Sequence, residues 1–209
     1  MNRLTRKASI AKVEVILHEH GYVRRGAVWS WHIGTGVSGW LGLNTGRGPD
    51  PHTWLINPVI GVRHEAIECL VDKFNGPVKP WFSPTIASNY GHYREPLEYL
   101  EFTLHGDACD DSVATSLVDM LNTEGRAAVE PMADFAHLRK ALVSKRIGIP
   151  EINQFRYPIL LVLMGDGRIA DEMAAATIAA CKGKTDPGHS HLRSYFEAFL
   201  QWRKAGETR

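Results

Sequence analysis

The chain predicts an α+β fold, with an antiparallel sheet of about four strands from the N-terminal half packed against a helical C-terminal half. Three observations lead there. Residues 28–62 hold four of the six tryptophans and divide into strand-like runs separated by turns bearing glycine and proline. Residues 99–105 then alternate apolar and polar side chains, the period of a half-buried strand. Beyond them, apolar residues recur at helical spacing almost to the C-terminus. The sheet half is expected over 1–106 and the helical half over 107–209, together forming one compact domain.

Taken in order, residues 5–20 read as an amphipathic helix with Ile10, Val13, Ile16, Leu17 and His20 on one stripe and Gly21 as its stop. Residues 22–33 read as one strand, with Trp29, Trp31 and Ile33 on one face and Val28, Ser30 and His32 on the other. Gly34 and Gly36 turn the chain into a second strand over 37–44, and 46–51 form a loop. Residues 53–62 make a third strand, and Pro58 places it at an edge or a bulge because proline cannot donate to the ladder. Ile67, Leu70, Val71 and Phe74 switch to helical spacing, and Gly76-Pro77 ends that helix. Residues 76–96 read as a long proline-rich loop, and 99–105 as the fourth strand.

Asp110 and Asp111 are N-cap candidates for a helix carrying Val113, Leu117, Met120 and Leu121. Pro131 suits the first turn of the next, with Phe135, Leu138 and Leu142. The apolar run 158–164 fits either a buried strand or a helix. Gly165-Asp166-Gly167 would link it to an alanine-rich helix over 168–181, which favours a helical hairpin. A last helix over 190–204 carries Tyr195, Phe196, Phe199, Leu200 and Trp202.

The composition is that of an ordinary globular protein, 44% hydrophobic and 22% charged. Cys69, Cys109 and Cys181 are odd in number and form no CxxC pair, which argues against a disulfide framework and for a reducing compartment. With no signal-peptide pattern and no membrane-length apolar run, the cytoplasm is the expected location. Net charge is +1, but it is segregated. Residues 64–134 carry 13 Asp+Glu against 4 Lys+Arg, while the flanks 1–63 and 135–209 carry 3 against 8 and 7 against 12. An acidic middle suits a basic protein partner.

Complete catalytic motifs are missing from the sequence: no GxSxG, Walker A, HExxH or EF-hand pattern occurs. Gly34-Thr35-Gly36-Val37-Ser38-Gly39 matches GxGxxG, but a dinucleotide fingerprint must open a helix, and Trp40–Asn44 reads as strand. His18 and His20 point about 200° apart on a helix and cannot share a metal. The best set for chemistry is His105, Asp107, Asp110 and Asp111, perched at a strand end where a metal or general base is often held. Helix capping and turn formation account for the same aspartates. Arg24 and Arg25 beside Trp29 and Trp31 have the composition of a nucleic-acid surface, if those rings are exposed. The loop residues Trp81, Phe82, Tyr90, His92, Tyr93 and Arg94 have the composition of a protein-binding hot spot, or of a lid on the sheet.

At Gly21-Tyr22-Val23-Arg24-Arg25, Trp29, Gly39–Asn44 and Ile56–His64 the N-terminal third resembles small uncharacterised bacterial α+β proteins, some of which look like immunity proteins of toxin systems. The resemblance implies a bacterial binding protein and carries over no catalytic residue. The leading expectation is therefore a non-catalytic, immunity-like binding or inhibitor protein of a bacterial cytoplasm, without cofactor or metal. It would engage a protein partner through the acidic middle and the aromatic loop. The alternatives are a metal-assisted hydrolase or nuclease using His105, Asp107 and Asp110 or Asp111, with His92 as a further ligand, and a nucleic-acid-binding module.

Overall fold

A computed structural model describes residues 6–50, 53–75, 82–105, 109–144 and 146–207. Trp81, Asp107 and the Gly76-Pro77 helix stop lie outside these. The chain runs α1 (Arg6–Glu19), β1 (Val23–Arg25), β2 (Val28–Gly34), β3 (Val37–Arg47), β4 (Trp54–His64), α2 (Glu65–Asn75), β5 (Ile86–Asn89) and β6 (Phe102–Leu104). It continues as α3 (Cys109–Met120), α4 (Arg126–Val129), α5 (Phe135–Val143), α6 (Pro150–Leu163), α7 (Gly167–Ala180) and α8 (Pro187–Glu207). The α+β class holds, with six antiparallel strands in the described residues in place of four.

Two strands are additions, each with a physical reason. The expected strand over 22–33 is split at Gly26, whose φ of +65° lets a two-residue turn return the chain so that Arg25 faces Val28. The proline-rich loop contains β5, which pairs with Val59–Val62. The fourth strand shortens to Phe102–Leu104 and pairs with Trp54–Ile56.

β4 is therefore an interior strand of the sheet and not its edge, a correction to the expectation from Pro58. β3 pairs along all of it on one side, while β5 and β6 share the other. Pro58 falls in the gap between those two short strands, and its carbonyl faces that side, accepting from Asn89 Nδ2 at 3.5 Å. In a strand the N–H and C=O of one residue point to the same edge, so the missing donor costs no ladder bond.

One face of the sheet carries Trp29, Trp31, Leu41, Ile56, Ile60, Val62 and Ile86 into a core shared with all the longer helices. This is the face that alternation assigned to Trp29 and Trp31. The residues 158–164 are helical, closing α6 and turning through Gly165 into α7, as the hairpin reading expected. α2 joins the two halves: Phe74 packs edge-on against Tyr195 and Phe199 of α8, at ring distances of 5.6 and 5.9 Å. Beside it Glu68, 1% exposed, receives two hydrogen bonds of 2.8 Å from Arg156 of α6. No helix among the described residues is long and apolar enough to cross a membrane.

The second face carries Val28, Ser30, Trp40, Asn57, Gly61 and Arg63, and it is crossed by residues 82–101. Trp40 Nε1 donates to the Phe82 carbonyl at 2.7 Å, Arg63 Nη1 to Ser83 at 2.8 Å, and Asn57 Nδ2 to Leu100 at 3.4 Å. A Cβ on Gly61 would stand 2.0 Å from the Ile86 carbonyl oxygen, so glycine is what lets β5 approach β4.

Candidate interaction surface

The expected aromatic hot spot divides into buried and exposed parts. Phe82 is half-buried, with the guanidinium of Arg63 4.8 Å from its ring centre and that of Arg25 at 5.9 Å. Tyr90 is 1% exposed and donates to Glu124 Oε2 at 2.6 Å, while Tyr93 donates to the Ile60 carbonyl at 3.0 Å. Burial raises both phenol pKa values well above the ordinary range, and Glu124 raises that of Tyr90 further. His92 Nδ1 meets Ser88 Oγ at 2.8 Å. Tyr90 and Tyr93 thus pin the loop to the core and are not its outward surface. Arg94 is exposed and lies between Glu98 and Glu124, at 3.5 and 3.6 Å.

What the loop does present is the strap 94–101, on which Leu97 is 61% and Tyr99 66% exposed. Both ends of the strap are tied. Asn89, buried in β5, accepts from Gly91 N at 2.9 Å and Leu100 N at 3.1 Å, and its Nδ2 donates to the Leu100 carbonyl at 3.1 Å. The Gly91 carbonyl takes the amides of Arg94 and Glu98, and a Cβ on Gly91 would lie 1.9 Å from the Glu98 oxygen. From the α5–α6 connection Arg146 donates to the carbonyls of His92 at 3.1 Å and Arg94 at 2.6 Å and pairs with the Glu95 carboxylate.

Two open cavities flank Tyr99. One, of about 350 Å³, is lined by His92, Leu97, Glu98 and Arg146. The other, of about 240 Å³, is lined by Asn44, Gly46, Leu55, Asn57 and Glu101. The strap is an apolar pair set among carboxylates on a braced backbone, which suits docking more than bond-making chemistry. Leu97 and Tyr99 were missed because both lie past the 76–96 loop, and Tyr99 was read as the start of a strand that in the structure begins only at Phe102.

Of the residues proposed for chemistry, Asp110 and Asp111 make contacts within the fold. Asp110 is 2% exposed and its Oδ1 accepts from the His105 backbone N–H at 2.7 Å, so it fastens the end of β6 to α3. Asp111 pairs with Lys12 of α1 at 2.6 Å. Among the described residues no three His, Cys, Asp or Glu side chains are grouped to hold a metal ion. For the nucleic-acid alternative, Trp29 and Trp31 are buried, and Arg24 bonds Glu14 at 3.0 Å. Set against family models, curated proteins and solved structures, the chain matches none.

Proposed function

We propose that this protein is a non-catalytic binding or inhibitor protein of the immunity-like kind, acting in the bacterial cytoplasm on a protein partner through the strap 94–101. One observation carries the reading: Leu97 and Tyr99 stand exposed on a segment whose neighbours are spent on holding it still. Holding a loop in its bound shape lowers the ordering cost of association, so bracing of this kind favours binding. Exposed apolar anchors with a charged rim are the anatomy of an interface centre. The partner is expected to be basic, because the strap belongs to the acidic middle of the chain.

Co-expression with the products of neighbouring genes, followed by affinity capture, tests the proposal. A stoichiometric partner that is retained by the wild type and lost with Leu97→Asp/Tyr99→Ala supports it. Turnover of a small substrate with no captured partner, or capture indifferent to both substitutions, counts against it.

A further inference from the structure

The smaller cavity beside Tyr99 is more specific than a general docking surface. On the sheet face away from the helices, Asn44 of β3 is the cross-strand partner of Asn57 of β4. Ile56 pairs with Phe102, so the next residue along, Glu101, lies opposite Asn57. The three residues form one row across β3, β4 and the residue that leads into β6, and all three line the cavity. Tyr99 walls one side and Leu55 and Gly46 contribute to the floor.

The row offers acceptors from each of its three members. Asn57 is 8% exposed, and its Nδ2 is used on the Leu100 carbonyl, which leaves Oδ1 without a partner among the described residues. Glu95 and Glu98 are neutralised by Arg146 and Arg94, whereas Glu101 has no ion pair among the described residues. Arg47, the nearest cation along β3, lies on the opposite face of its strand over Trp54, at 5.9 Å. An unpaired carboxylate, side-chain carbonyls and an exposed phenol ring converge on about 240 Å³ of open space.

We infer that this cavity receives an arginine side chain of the protein partner. A guanidinium is planar, stacks on an aromatic face, and offers five donors in a fork that matches a carboxylate with an adjacent carbonyl. An ammonium would satisfy the charge but not the flat Tyr99 wall. Leu97, across Tyr99, would then meet an apolar neighbour of that arginine. The inference rests on the proposed function for its occupant, and the cavity can be tested without the partner.

The test is a titration of the full-length ¹⁵N-labelled protein with N-acetyl-L-arginine methylamide, with the lysine and citrulline analogues as comparisons. The expected result is saturable shifts at Gly46 and at the side-chain amides of Asn44 and Asn57, at half-saturation on the order of 10 mM for so small a ligand. Affinity should fall about tenfold or more in Glu101→Gln, since a charge-assisted contact is lost. It should fall similarly in Gly46→Val, where a Cβ meets nothing within 4 Å, so the cavity fills without disturbing the strand. Absent shifts, shifts unchanged in both variants, or equal binding of citrulline would overturn the site. Tighter binding of lysine would overturn the choice of guanidinium. A partner captured through Leu97 but unaffected by Glu101→Gln and Gly46→Val sinks the arginine pocket and spares the interaction reading. Arginine binding with no captured partner does the reverse.

Discussion

At the scale of the residue, His64 shows how burial fixes a chemical state. It is 3% exposed, and its Nε2 stands 2.8 Å from the Met132 carbonyl, which can only accept, so Nε2 carries the proton. Burial outweighs that bond and lowers the pKa below the ordinary imidazole value of 6.5. The folded state therefore holds His64 neutral in a range where the unfolded chain has taken up a proton. Stability from this group is full above pH 6.5 and falls as pH drops toward the lowered folded value. His64→Gln keeps a donor for Met132 and removes the titration. Denaturant melts between pH 7 and 5 should show a shallower loss in the variant, by up to ~1.4 kcal/mol per pH unit. An identical pH dependence would show that His64 is not held neutral. Asp110 makes the complementary lesson. Its place near a helix start was legible in the sequence, while its burial and its bond to His105 depend on how β6 meets α3.

At the scale of the element, what was legible followed from periodicity, and what was missed followed from contacts distant in sequence. Alternation put Trp29 and Trp31 on one face, which the fold buries, and the Gly165 turn assigned α6 and α7 to a hairpin. The place of Pro58 could not be read, because it depends on two short strands sharing one edge of β4 from more than 20 residues away. Those strands set a prediction. Gly61→Ala drives a methyl into the Ile86 carbonyl, a backbone atom that cannot rotate aside, and should cost about 1–3 kcal/mol in equilibrium unfolding. A neutral effect would mean β5 is not held this close. The joint between the halves sets another. Arg156→Met leaves the buried Glu68 carboxyl without its paired guanidinium and should cost about 3–5 kcal/mol. Pairing it with Glu68→Leu should recover most of that loss, because the ion pair's desolvation penalty disappears with it. A double variant as unstable as the single would assign the pair a net stabilising role.

At the scale of the whole molecule, the chain spends its helices on one face of the sheet and a single braced segment on the other. The acidic, aromatic character of that segment was visible in the sequence, but which side chains face outward was not. Tyr90 and Tyr93 turn inward to hold the strap, and Leu97 and Tyr99 remain outside. The proposed interaction surface is thus a product of the fold, with inward-turned side chains supporting the exposed ones. The most direct measurement places a photo-crosslinking amino acid at position 99 in the organism of origin, with position 169, exposed on α7, as the control. The account predicts one discrete crosslinked partner from position 99 and none from 169. No adduct at 99, or the same adduct from both positions, would contradict it.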